Sequence, residues 1–309
     1  MRPIKSQSAF SLVELIIVIV ITGVLATGIA TFITLPVQGF IDLSRRATLV
    51  YSAESALRRM QRDIRRALPN SIRVSPDGTA IEMISTVEAA RFRAFRRPPP
   101  MADDPANYLT FNGTDTDFDI LGNFNNLPAT FPAAPFVTTT HRLAIYNIGQ
   151  NDTSMPPVPI AGQNAYAGPD LDGKNVVTPN GRTITITDSG NEDHVNIGGG
   201  GFEFSFDSSA SYRVYLVDGG ISYICNGGQL TRYSGYNFSN AAQPIPPTMI
   251  GETVALMANN IGSCNFTYDS GTPARAGLMT LDLTVSALNT NGIVESVRLL
   301  HQVHVDNVP

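Results

Sequence analysis

The sequence predicts an α+β protein, with one long N-terminal helix followed by a large, loop-rich antiparallel β domain. Three observations carry this. From Leu15 through Ile41 no charged side chain interrupts an apolar run, and a helix needs roughly 20 such residues to cross a bilayer. Beyond that run, apolar residues recur at spacings of three and four as far as Leu68. The last third of the chain shows short alternating runs separated by Gly-rich turns. The 26 Gly and 21 Pro among 309 residues, with 15% charged, also favour strands and long loops over a helical protein.

Residues 1–9 form a short leader carrying Arg2 and Lys5. Glu14 then stands alone at the start of the apolar run. An acid inside a membrane span costs about 2.5–3.5 kcal/mol on insertion scales, so it demands a partner. A helix N-terminus also favours an anion in its first turn. A secretory signal cut near Ala26 is the competing reading. Its apolar core is about 7–15 residues long, shorter than this run, and it gives no reason for Glu14. The segment therefore reads as a retained anchor, with the leader cytoplasmic and the following domain exported. Arg45 and Arg46 just beyond the span weaken the charge asymmetry that orients such helices.

Residues 10–39 are the expected transmembrane helix, with Pro36 and Gly39 interrupting its end. Residues 40–70 are its amphipathic second half, with a stripe of Phe40, Leu43, Ala47, Val50, Leu57, Met60, Ile64 and Leu68. Arginines lie mostly off that stripe, and Pro69-Asn70 ends it. Continuous from Phe10 to Leu68, the helix has 59 residues and is about 88 Å long at 1.5 Å per residue.

Residues 71–309 form the β-rich domain. Ser71–Val74 and Ala80–Ser85 read as strands around Pro76-Asp77-Gly78. Arg91–Arg97 reads as a basic, extended surface segment. The stretch 101–200 is loop-rich, with strands expected at His141–Asn147 and Arg182–Thr187. Gly198–Gly201 reads as a flexible joint before Phe202–Phe206. Tyr212–Val217, Ile221–Cys225 and Leu230–Tyr233 form a meander turning at Asp218-Gly219-Gly220 and Asn226-Gly227-Gly228. Met249–Ala258 is a strand or a short helix. Cys264–Asp269, Leu278–Leu288 and Ile293–Val305 are strands, the last two joined at Asn289–Gly292.

Few constellations suggest chemistry. The two cysteines, Cys225 and Cys264, permit one intrachain disulfide in an exported domain. His301 and His304 fall on opposite faces of a strand and do not share a metal. Asp115, Asp117 and Asp119, and likewise Asp170 and Asp172 before Gly173, resemble fragments of calcium loops. Neither carries the downstream Glu of a full loop. No other cofactor is indicated. The four glycines lack the Lys-Ser or Lys-Thr of a phosphate loop. No nucleophile pattern points to an enzyme. Between Arg45 and Arg97 there are 12 Arg against five acids, and from Pro98 onward seven basic residues against 19 acids. The basic stretch reads as an exposed helix face beside an acidic domain, and nucleic acid is not the expected partner.

The order leader, Ala9, Phe10, Glu14 and apolar helix resembles the class III signal of type IV pilins and type II secretion pseudopilins. The resemblance implies that a prepilin peptidase cuts between Ala9 and Phe10 and methylates the new amine of Phe10. It also places Glu14 at the fifth mature position, where it sets register between subunits. Ala9 stands where that family usually has Gly. The stretches Leu35–Phe40, Ala56–Ser71 and Leu299–Pro309 are further similar to MshO-type minor pilins of mannose-sensitive haemagglutinin (MSHA) pilus systems. This implies an inner-membrane precursor with a periplasmic domain that primes assembly and sits at or near a pilus tip. Its partners would be other minor and major pilins and an inner-membrane assembly platform. A J-type pseudopilin of type II secretion, a membrane-tethered adhesin and a DNA-binding module are the alternatives.

Overall fold

The computed structural model describes residues 11–96, 107–128, 131–154, 157–167, 174–205, 212–238, 252–271 and 276–307. Helix α1 runs without a break from Leu12 to Arg65, 54 residues, or about 81 Å. Pro36 sits inside it, so the loss of one backbone donor does not end the helix. It ends where the chain is drawn into a sheet. The Leu68 N–H donates to Ile84 O, the Thr86 N–H donates to Arg66 O, and Ala67 bridges Ser85.

Thirteen strands follow among the described residues: β1 Arg73–Val74, β2 Ala80–Arg91, β3 Asp117–Asp119, β4 Phe136–Thr138, β5 Arg142–Ile145, β6 Ile184–Asp188, β7 Asp193–Ile197, β8 Arg213–Asn226, β9 Gln229–Tyr236, β10 Thr253–Asn259, β11 Ile261–Asp269, β12 Gly277–Leu288 and β13 Val294–Val305. They form three sheets, and every strand pairing is antiparallel. The first has the order β1-β2-β8-β9-β10, with β5 also on β8; the second is β11-β12-β13; the third is β3-β7-β6-β4. One helix on an antiparallel β domain is the α+β layout expected from the sequence.

The second half of α1 packs Ala53, Ala56, Leu57, Met60 and Ile64 against Ile221 and Tyr223 of β8 and Met279, Leu281, Leu283, Val285, Val303 and Val305 of the β12–β13 hairpin. The inward stripe therefore begins about three turns later than expected. Phe40 and Leu43 are exposed, because the hairpin reaches the helix only from Asp42 onward. A second core lies under the third sheet, built on Phe118, Ile184, Ile186, Val195, Ile197 and Val214. A third joins Leu68, Tyr166, Tyr215, Val217 and Phe238.

Three expectations are corrected here. Asp218-Gly219-Gly220 is not a turn. β8 is one strand of 14 residues that passes straight through it. On one side β2 accompanies β8 along its length, with register shifts around Thr86. On the other, β5 pairs with Arg213's half of the strand, from Val214 to Val217, and β9 takes over from Gly220. The glycines serve this exchange. A Cβ at Gly220 would lie 2.4 Å from the Tyr236 ring, and that ring is held by hydrogen bonds from its hydroxyl to Glu82 Oε1 (2.8 Å) and with Ser222 Oγ (2.5 Å). Gly220→Ala is therefore expected to cost about 1–3 kcal/mol through overpacking, measured by chaotrope unfolding of the full chain. An unchanged midpoint would contradict the clash.

The second correction concerns Arg91–Arg97, which does not lie on the surface throughout. Arg91 ends β2, Phe92 is buried, and Arg93 turns inward to Glu192; residue 97 lies outside the described residues. Likewise, Gly198–Gly201 is a closed turn rather than a loose joint. The Gly198 N–H donates to Thr183 O, and a Cβ at Gly201 would meet Asp115 O at 2.2 Å.

Cys225 of β8 is bonded to Cys264 of β11, 39 residues apart, which ties the first sheet to the second. In the chain-entropy treatment a loop of that length contributes roughly 4 kcal/mol.

Candidate functional site

The site with the strongest sequence claim is the start of α1. Ser11 is its N-cap, with extended backbone, and its Oγ accepts the Glu14 N–H at 3.4 Å while its carbonyl accepts the Leu15 N–H at 3.2 Å. Ser11-Leu12-Val13-Glu14 has the Ser-x-x-Glu spacing of a capping box. The cap fixes where the helix begins and so puts the Glu14 carboxylate in the first turn, at the positive end of the helix dipole. Sequence reasoning passed over Ser11, although that spacing ahead of an apolar run was its signal. Ala9 and Phe10, the expected cleavage pair, lie outside the described residues.

From Leu12 to Ile41 every described side chain of the helix is exposed. Leu12 is 73%, Phe32 81% and Phe40 72% accessible. The most apolar window has a mean hydropathy of 2.6, with none of it buried, and is long enough to cross a membrane. Its hydroxyls bond within the helix: Thr22 Oγ1 donates to Val18 O (2.6 Å) and Thr27 Oγ1 to Val24 O (2.8 Å). Such bonds remove the need for water around the hydroxyls. A helix that is apolar all round requires an apolar surrounding.

Three polar clamps hold the other half of α1 to the domain. At the lower end Asp42 accepts the Thr290 N–H (3.0 Å) and hydroxyl (2.8 Å), and Arg45 donates to Leu288 O (2.7 Å). In the middle, His301 sits between Gln61 (2.9 Å) and Glu54 (3.1 Å), while Arg58 donates to Glu54. The Arg58 hydrogen bond is the main cause holding the Glu54 carboxyl below its usual range. At the top, buried Asp63 accepts from Tyr223 Oη (2.7 Å) and Arg232 Nε (2.8 Å), with Arg59 at 3.4 Å. Burial first, and then the Asp63 anion, push the Tyr223 phenol well above its ordinary value.

The basic stretch is divided between surface and interior. Arg58, Arg59, Arg62, Arg65 and Arg66 are exposed on the helix, whereas Arg73 is drawn in to the buried Glu82. The Asp115 carboxylate accepts the Thr110 N–H (2.6 Å) and hydroxyl (3.0 Å), and Asp119 is paired with His194 (2.8 Å). Asp117 accepts the Thr116 hydroxyl at 3.0 Å. Among the described residues no three acids, histidines or cysteines are grouped to hold a metal. Asp170 and Asp172 lie outside them.

No curated protein and no solved structure matches the chain. The family described as the prokaryotic N-terminal methylation motif matches residues 4–30, and this supports a type IV pilin-like or pseudopilin signal at the head of the bare helix.

Proposed function

We propose that the chain is a minor pilin: an inner-membrane precursor cleaved between Ala9 and Phe10, methylated at Phe10, and built into a type IV pilus through α1. The observation that carries this is the methylation motif on a helix whose apolar half is uncovered all round. Such a helix is stable in lipid and equally stable among like helices, so it serves first as anchor and then as filament core. Cleavage would leave an ammonium group one turn before Glu14, and the two charges would neutralise one another within or between subunits. An unpaired charge in that core would be heavily penalised, which makes Glu14 the register residue. The partners on this reading are a prepilin peptidase, other pilins and the inner-membrane assembly platform.

A terminal, priming position, as in MSHA-like systems, is supported by the bulk of the domain. The β3-β7-β6-β4 sheet, packed with β5 and the Val214 end of β8 around a core separate from the one beneath the helix, forms a second lobe. A J-type pseudopilin would share the same signal. Mass spectrometry of the mature N-terminus from cells is the test. A chain beginning at N-methylated Phe10 is expected, and one beginning near Thr27 would identify a removed secretory signal instead.

A further inference from the structure

The tip of the β12–β13 hairpin is tied to the helix at the point where the apolar run ends. Asp42 is the first charged residue after Glu14, and both its carboxylate oxygens accept hydrogen bonds from Thr290 in the turn. Arg45 holds the Leu288 carbonyl one turn on. The height of the hairpin tip along α1 is therefore set by Asp42.

Glu14 and Asp42 are 28 residues apart, or about 42 Å along a helix. A bilayer including its headgroups is about 40–45 Å thick. With Glu14 at one face, Asp42 stands at the opposite one, and the hairpin tip with it.

The tip carries apolar side chains that the domain leaves uncovered: Leu288 at 58%, Ile293 at 61% and Val294 at 65% exposure. Leu288 and Val294 are direct cross-strand partners, so they project from the same face of the hairpin. The next pairs on that face are Ser286–Ser296 and Thr284–Arg298, and the next apolar side chain, Leu300, lies opposite Asp282. The outer face is thus apolar at the tip and polar directly above it. The charges beside the tip are balanced, Asp42 and Glu295 against Arg45 and Arg46, which favours contact through apolar insertion over attraction to anionic headgroups.

We infer that the hairpin tip is a second membrane contact, with Leu288, Ile293 and Val294 seated in the headgroup layer of the bilayer that α1 crosses. The domain is then held against the membrane at two points, which fixes its orientation before it joins a filament. This inference rests on the reading of α1 as an anchor.

The chain contains no tryptophan, so single Trp substitutions report position without background. Full-length Val294→Trp, Leu300→Trp and Phe32→Trp are reconstituted separately in neutral phosphatidylcholine vesicles containing lipids brominated at defined depths. Val294→Trp is expected to be blue-shifted and quenched at least about twofold by the shallowest bromines, unaffected by 0.5 M salt. Leu300→Trp, about 20 Å further along the strand, is expected to be unquenched, and Phe32→Trp to be quenched by deep bromines. Quenching at residue 32 with none at 294 overturns the tip contact and leaves the anchor standing. Absence of quenching at residue 32 overturns both. A Val294→Trp signal that shifts only when copies assemble assigns the tip to a subunit interface and also overturns the proposal.

Discussion

Replacing Glu14 with Ala or Gln is expected to lower incorporation of the chain into pili at least about tenfold while leaving it in the membrane. The two effects have opposite signs. Removing an acid from the end of a membrane segment favours insertion, by less than the about 2.5–3.5 kcal/mol that an acid costs at the bilayer centre, so the precursor is anchored at least as well as before. Assembly loses the opposite. An ammonium and a carboxylate about 4 Å apart interact by roughly 4 kcal/mol at an effective dielectric of 20, and on the proposed function the amine would enter the filament core unpaired without Glu14. Glu14→Gln keeps length and hydrogen bonding and removes only charge, so it should behave as Glu14→Ala does. Ser11→Ala, which removes only the cap, should cost about 1 kcal/mol of helix stability and far less incorporation. Pilus number by electron microscopy and the chain's share of sheared pili by immunoblot measure this. Normal pili in the Gln variant would sink the register role of Glu14.

Asp63→Ala is expected to be the most damaging single substitution for the fold, at about 3–5 kcal/mol. Asp63 is buried, and it is the acceptor for Arg232 on β9 and for the Tyr223 hydroxyl on β8. Its removal leaves a largely buried guanidinium and a phenol without their acceptor. Asp63→Asn keeps an acceptor oxygen for one of them and should lose less. Chaotrope unfolding followed by tyrosine fluorescence would show it. A loss under about 1 kcal/mol for Asp63→Ala would mean that the helix is held by its apolar stripe alone.

The long helix was legible because its signals are redundant: an uncharged run, a period near 3.6 and a proline past its end. The hairpin at Asn289–Gly292 and the turn at Asn226–Gly228 were legible for the same reason, apolar alternation on both sides of turn residues. Other features obeyed the sequence rules and still misled. Asp218-Gly219-Gly220 has turn chemistry, but here the absent side chain makes room for the Tyr236 ring from the neighbouring strand. That contact is invisible along the chain. β7 was missed because its first residue is Asp193, which is fully buried and accepts the Phe124 N–H at 2.7 Å. An acid at an inward position hides the alternation of Val195 and Ile197. Phe40 and Leu43 fit the helical stripe, but how far the domain reaches down the helix depends on the length of a hairpin nearly 250 residues later. At the site itself, Glu14 was legible as a misplaced charge, whereas Ser11 was one polar residue among several in the leader region.

β8 contributes Val214 and Leu216 to the core of the outer lobe, Tyr215 and Val217 to the central one, and Ile221 and Tyr223 to the one beneath the helix. Mechanically, it is a tie rod. Tension applied to the outer lobe, with α1 held in a membrane or a filament, passes along this strand to Asp63 and the helix. Its pairing with β2, from Arg91↔Arg213 to Ala80↔Ile224, lies parallel to such a pull, so those hydrogen bonds share the force in shear and do not open one at a time. At the far end of the rod Cys225 is bolted covalently to the next sheet.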